Sequence, residues 1–139
     1  MTASLAEQIL QGKRRAIARQ ISGLENNQAD ALRVLADLYP HTGKAHLTGI
    51  TGPPGTGKST LVNQIAKSFR RDGKTVAVLS IDPSSPFTGG ALLGDRIRLS
   101  DLAGDPGVFV RSMATRGSLG GLARAAADTT KVFDRPDLK

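Results

Sequence analysis

Apolar residues recur along this chain with two different periods. Between residues 1 and 40, Leu5, Ile9, Ala16, Ile17, Ile21 and Leu24 fall mostly three or four positions apart. Lys13, Arg14, Arg15 and Arg19 lie between them, giving the pattern of an amphipathic helix. Gly12 weakens the middle of that pattern, so two short helices compete evenly with one. Glu25-Asn26-Asn27 reads as a turn. Asn27 is suited to cap a second helix carrying Ala31, Leu32, Leu35 and Leu38, which stops before Pro40. At Ala45 the pattern changes. Residues 45–51 form a short apolar run ending at Gly52, expected as a buried strand, and residues 58–71 form a helical pattern with Leu61, Val62, Ile65, Ala66 and Phe69 on one face. Gly73 is placed to end that helix. Residues 75–81 are nearly continuous apolar sequence, the mark of a parallel strand covered on both faces. A Pro-, Ser- and Gly-rich loop over 82–94 precedes a short helix at 96–103 and a third strand at 108–111. A closing helix at 117–133 has Leu119, Leu122, Ala123, Ala126, Thr130 and Phe133 in register and Ser118 as a candidate cap.

Strand and helix thus alternate three times after residue 44. That order predicts an α/β fold, a three-layer sandwich around a mainly parallel sheet with right-handed crossovers. The helical segment 1–43 is expected as an N-terminal extension and 44–139 as the α/β portion. A helix ending at 133 calls for another strand returning to the sheet. Residues 134–139 are polar instead, so the sheet is expected to be incomplete.

The chemistry concentrates between the first strand and its helix. Gly52-Pro53-Pro54-Gly55-Thr56-Gly57-Lys58-Ser59 satisfies the GxxxxGK[ST] pattern, in the strand–loop–helix context that the pattern requires. Glycines let the backbone curl until successive N–H groups point at phosphate oxygens, and the helix adds the positive end of its dipole. Gly52, Pro53, Pro54, Gly55, Thr56, Gly57, Lys58, Ser59 and Thr60 are therefore the candidate nucleotide-binding residues. Lys58 has the reach for the β- and γ-phosphates, and Ser59 offers a hydroxyl to Mg2+. A nucleoside triphosphate with Mg2+ is the expected ligand.

Asp82 ends the second strand at the C-terminal edge of the sheet, where doubly wound folds bind ligands. Two readings stand for it: a carboxylate serving Mg2+ or an attacking water, and a turn-forming residue before Pro83. Asp95 follows the flexible run Thr88-Gly89-Gly90-Ala91-Leu92-Leu93-Gly94, which has the composition of a loop that closes on nucleotide; its alternative is a plain helix cap. Thr88, Arg96, Arg98, Arg111 and Arg116 are weaker candidates for the same neighbourhood. His41 and His46 lie outside any ligand spacing and read as structural.

Composition narrows the picture. The 139 residues are 39% hydrophobic and 22% charged, as in a globular domain, but only 4% aromatic, so the core must rest on Leu, Ile, Val and Ala. There is no cysteine, which excludes disulfides and thiolate metal sites and fits a cytoplasmic setting. No apolar run approaches the roughly 20 residues of a membrane span, so no direct membrane insertion is expected. The net charge of +7 is spread along the chain without stacking aromatics, which argues against nucleic acid as a partner.

The chain strongly resembles the MeaB/ArgK family of P-loop GTPases. The likeness rests on residues 49–60, GITGPPGTGKST, on 81–96, IDPSSPFTGGALLGDR, and on 111–117, RSMATRG. The helical extension fits the family as well. The resemblance implies GTP (or ATP) binding and hydrolysis in a chaperone of a cobalamin-dependent acyl-CoA mutase, dimeric when full length. It implies that Lys58, Asp82 and Asp95 act in hydrolysis and that Ser59, Asp82 and Asp95 hold Mg2+, with 82–95 as the switch that senses the γ-phosphate. Two alternatives follow from it: an ATPase associated with transport of basic amino acids, and a catalytically inactive nucleotide-binding fragment. The acidic residue of the family's next strand and its guanine-reading Asn-Lys-x-Asp motif are absent from these 139 residues. A truncated family member is therefore expected.

Overall fold

The computed structural model describes residues 2–53, 55–82, 102, 104–114 and 119–134. Its contacts divide the chain into two compact units, residues 1–45 with 118–139, and residues 46–117. The first unit is helical. Helix α1 spans Leu5–Leu10, α2 Arg14–Glu25, α3 Ala29–Leu38, followed by a 3-10 turn at Tyr39–His41, and α5 spans Leu119–Phe133. The second unit holds α4, Lys58–Arg71, and two strands, β1 at Val76–Asp82 and β2 at Val108–Ala114.

Local chemistry sets the ends of the helices. Ser4 and Glu7 form a reciprocal capping box at the start of α1, satisfying two backbone donors that the helix itself leaves open. Of the two options open at Gly12, the structure takes two helices. Gly12 has a left-handed φ of 78°, and the backbone bonds Gly12 N to Ile9 O and Lys13 N to Gln8 O close α1 behind it. Asn27 plays a different part from the one expected. It takes a φ of 53° and ends α2, with Asn27 N bonded to Leu24 O and Gln28 N to Gly23 O. Gln28 is the cap position of α3, without a side-chain cap bond. Asparagine tolerates the left-handed region well enough for this C-terminal duty to take precedence over the N-terminal one.

The helical core consists of Ala6, Ile9, Ala16, Ile17, Ile21, Leu24, Ala31, Leu38, Ala125, Val132 and Phe133, all buried. Helix α2 packs against α1, α3 and α5, and its buried face is the one predicted by the spacing of Ala16, Ile17, Ile21 and Leu24. At Gly23 a side chain would meet the Ala31 Cβ at 2.8 Å, so the close approach of α2 and α3 depends on this glycine. Gln20 is 1% exposed and donates its amide to the Ala31 carbonyl at 2.7 Å, tying the same two helices by a polar contact. The expected helix at 117–133 exists as α5, but it packs on α2 and α3. Its buried Ala125, Thr129, Val132 and Phe133 complete the helical core.

Asp134 follows α5 directly. Its carboxylate accepts hydrogen bonds from the consecutive N–H groups of Gly43 (2.6 Å), Lys44 (3.0 Å) and Ala45 (2.8 Å). Burial raises the pKa of this carboxyl, but the three backbone donors outweigh it and hold the value below the usual carboxylate range. The group therefore adds stability that is complete above the unfolded-state pKa, about 3.9, and is lost as pH falls through the lowered folded value. Asp134→Ala is expected to reduce stability by about 1 kcal/mol at neutral pH, given its partial exposure, and by progressively less in acid. Urea titrations of both chains at a series of pH values check this; an equal loss at every pH would contradict it.

In the second unit β1 and β2 run parallel, in register from Val76 opposite Val108 to Asp82 opposite Ala114. Helix α4 lays Val62 and Ala66 over Val76, Val78, Val108 and Val110, with Leu102 buried in the same cluster. This is α/β architecture with the parallel pairing that the sequence predicts, and β2 is longer than its expected 108–111. Residues 45–51 are a correction. They form no strand, and Leu47 is 72% exposed. The described sheet has two strands, β1 and β2, and the run pairs with neither. An apolar segment becomes a strand only when a neighbour satisfies its backbone donors and acceptors, so apolar content alone did not decide the matter.

The base of the sheet is locked to α4. Arg70 in the last turn makes a two-pronged contact with Asp105, Nε to Oδ2 and Nη2 to Oδ1, both at 2.9 Å. Its Nη1 also donates to the Lys74 carbonyl at 2.8 Å. Asp105 accepts the Gly107 N–H at 2.8 Å, and the Gly107 carbonyl receives the Val76 N–H at 2.9 Å. A Cβ at position 107 would run into the Arg70 guanidinium. Gly107→Ala is expected to displace this fork, lowering the thermal midpoint and speeding hydrogen exchange at Val76. An unchanged midpoint would show that the guanidinium relocates freely.

Candidate functional site

The candidate site is built on the turn that leads into α4. Gly55 (φ 78°) and Gly57 (φ 90°) both lie in the left-handed region, which a side chain would strain. Gly57 is the cap position of α4 and supplies no side-chain acceptor; the Leu61 N–H to Gly57 carbonyl bond opens the helix at 3.0 Å. Lys58, Ser59 and Thr60 form its first turn. The Lys58 ammonium donates back to the carbonyl of Gly52, and the Thr56 hydroxyl donates to the Pro53 carbonyl at 2.8 Å. The loop is thus closed on itself by the lysine it carries. A Cβ on Gly52 would sit 3.5 Å from Thr56 Oγ1 and 3.6 Å from Lys58 Cδ, so both side chains pack over this glycine at ordinary contact distance. A glycine-rich loop, a helix N-terminus, an ammonium and the hydroxyls of Thr56 and Ser59 together make up the donor set that a polyphosphate with Mg2+ requires.

The other expected residues divide. Asp82 is the last residue of β1, at the C-terminal edge of the sheet, opposite Ala114. Asp95, Thr88, Arg96, Arg98, Arg116 and Pro54 lie outside the described residues, as do the expected loop at 83–94, the greater part of the helix at 96–103 and the cap Ser118. Arg111 stands within β2 opposite Leu79. His41 and His46 are exposed, and no group of His, Cys, Asp or Glu among the described residues is arranged to hold a metal ion. No helix among the described residues is long and apolar enough to cross a membrane.

Some structurally important polar residues escaped the reading of the sequence. The capping box of Ser4 and Glu7 was not read, although Ser4-x-x-Glu7 is a local signature that could have announced it. The Arg70–Asp105 and Asp134 contacts join residues 35 and about 90 positions apart, and no local pattern announces them.

Comparison with known proteins decides the kinship. The family model described as methylmalonyl-CoA mutase-associated GTPase MeaB matches residues 14–136. The chain belongs to the MeaB family. A GTPase-named protein of Pyrococcus horikoshii is 55% identical over 130 residues, covering 94% of this chain and 41% of the relative. The Escherichia coli K12 GTPase ArgK is 38% identical over 133 residues, covering 91% of this chain and 40% of its own length. The fused isobutyryl-CoA mutase of Cupriavidus metallidurans is 41% identical over 124 residues, 86% of this chain and 11% of that protein. The chain therefore spans about two fifths of the length of the GTPase-named relatives.

Proposed function

We propose that this MeaB-family chain binds GTP with Mg2+ through residues 52–60 and serves, as part of a GTPase, a cobalamin-dependent acyl-CoA mutase. The observation that carries the binding half is the loop geometry: left-handed Gly55 and Gly57 lead into a helix whose first residue, Lys58, closes over the loop. On this reading the phosphates replace the Gly52 carbonyl as the partner of the Lys58 ammonium, and backbone amides of the loop orient them. Ser59, Asp82 and Asp95 would hold Mg2+, which when bound with nucleotide neutralises charge building on the β- and γ-phosphate oxygens. Lys58, Asp82 and Asp95 are the residues proposed to act in hydrolysis. The mutase half rests on the family description and on a relative in which a matching segment is part of a fused isobutyryl-CoA mutase.

The test separates the two halves. Calorimetry in magnesium buffer is expected to show heat with GTP; none with GTP or ATP would remove the binding proposal. Tighter binding of ATP than GTP would favour the second reading, an ATPase linked to basic amino-acid transport. Co-purification of a tagged chain with an acyl-CoA mutase, dependent on GTP, tests the partner. Homodimerisation is proposed for a longer form, with sedimentation as its check.

A further inference from the structure

The face of the sheet beneath α4 changes character along its length. Val76 and Val78 on β1 stand opposite Val108 and Val110 on β2, and the next pair on the same face is Ser80 opposite Ser112. The valines pack under Val62 and Ala66 of α4. A third valine pair would continue that floor, because valine suits a strand and serine does not. Two serines at one register position, 32 residues apart in sequence, break the local rule together. Such coincident departures mark functional positions.

Arg70 fixes the end of α4 to Asp105 and the Lys74 carbonyl, at the start of both strands. Helix α4 therefore runs back along the sheet, and Ser59 lies about 16 Å from Arg70 along the helix axis at ~1.5 Å per residue. Ser112 lies about 16 Å beyond Gly107, the residue whose Cβ would strike Arg70, at ~3.3 Å per residue. Ser59, Val62 and Ala66 fall on one stripe of the helix, and the latter two are the residues that face the valine floor. Ser59, Ser80 and Ser112 thus reach the same level on the same side of the sheet. Both strand serines are half-buried, and among the described residues neither hydroxyl has a hydrogen-bond partner.

We propose that Ser80 and Ser112 form a paired hydroxyl shelf that holds water around the Mg2+ of the bound nucleotide, opposite the hydroxyl of Ser59. They are positioning residues: they act through ordered water, which a hydroxyl both donates to and accepts from. The proposal rests on the reading of residues 52–60 as a Mg2+-nucleotide site.

The test uses a matched pair of variants of the whole chain. S80T/S112T and S80V/S112V have side chains of nearly the same shape, and only the first keeps the hydroxyls. Both are expected to raise the thermal midpoint, since β-branched residues extend the valine floor. The probe is GTP, titrated calorimetrically in magnesium buffer and again with EDTA. The ratio of the two affinities should fall about tenfold in the valine variant, the scale of one hydrogen bond, and stay near the parent value in the threonine variant. An unchanged ratio in the valine variant, or an equal fall in both, would overturn the proposal. If the valine pair fails to fold, S80A and S112A carry the same comparison singly. GTP affinity that is absent in the parent chain would remove the nucleotide reading itself, and the shelf with it; GTP binding with an unmoved ratio would remove the shelf alone.

Discussion

Lys58→Ala is expected to lower the affinity of the chain for GTP in magnesium buffer by about a hundredfold or more. The ammonium is the one full positive charge on the loop and first turn of α4 among the described residues, and it is already directed inward, bonded to the Gly52 carbonyl. A charge-assisted hydrogen bond to an ionised group contributes about 1.5–3 kcal/mol, and each 1.4 kcal/mol is a factor of ten in affinity. Phosphate oxygens offer Lys58 two such contacts, across the β- and γ-groups. The backbone amides and the helix N-terminus survive the substitution, so residual weak binding is expected. Lys58→Arg is not expected to be a rescue, because a planar guanidinium fork does not reproduce the compact ammonium that bonds the Gly52 carbonyl. Calorimetric titration of the parent chain and both variants checks the prediction. GTP affinity in Lys58→Ala within threefold of the parent would mean that the loop does not bind phosphate through this side chain. The folded state should be little affected, so circular dichroism of the variant should match the parent.

Ile21→Ala is expected to reduce stability by about 2–5 kcal/mol. Ile21 is fully buried, at 0% exposure, on α2, the helix that meets α1, α3 and α5. Removing buried methyl groups forfeits their transfer free energy and leaves a cavity, and both terms scale with how little the surroundings relax. Relaxation is limited on this helix. Gly23, two residues on, already admits Ala31 to the distance at which any Cβ would clash, and Gln20 is fixed by its bond to the Ala31 carbonyl. A loss of this size is a large share of the roughly 5–15 kcal/mol by which a domain is stable. Urea unfolding followed by helical signal measures it as a lower midpoint with an unchanged slope. A shift worth less than about 0.5 kcal/mol would show that α2 is not held by its neighbours in the packing described.

The two predictions address separate units of the molecule, and their effects should be independent. Residues 1–45 with 118–139 form one unit and 46–117 the other. Lys58→Ala should change ligand affinity at constant stability, and Ile21→Ala should change the stability of the helical unit. Coupled effects would show that nucleotide binding reports on the helical core.

The phosphate loop was legible because its chemistry is local. Residues 52–59 follow one another in the chain, and Gly57, whose left-handed backbone favours glycine, is one of the two glycines that the sequence pattern fixes. Helices α2, α3 and α4 were legible because a 3.6-residue period is written in consecutive residues. Strand β1 was legible as an apolar run bounded by Gly73 and Pro83. The resemblance carried by residues 49–60, 81–96 and 111–117 pointed to the family that the comparisons then showed.

What the sequence by itself determined, then, was every feature fixed by neighbours in the chain: helical faces, glycine-ended turns, the loop with its lysine, and the family. Tertiary structure alone decided the features that need a distant partner. Residues 45–51 are apolar, yet they form no strand, because no described strand supplies the ladder of backbone partners that a strand needs. Asn27 ended one helix where it was expected to begin another, because the left-handed turn between α2 and α3 needed it. Helix α5 packed against α2 and α3, and Asp134 reached back to the amides of residues 43–45. Ser80 and Ser112 became neighbours only through strand register. The physical reason is common to all of these: a hydrogen-bonding group or an apolar face specifies what kind of partner it requires, and only the folded chain specifies which residue supplies it.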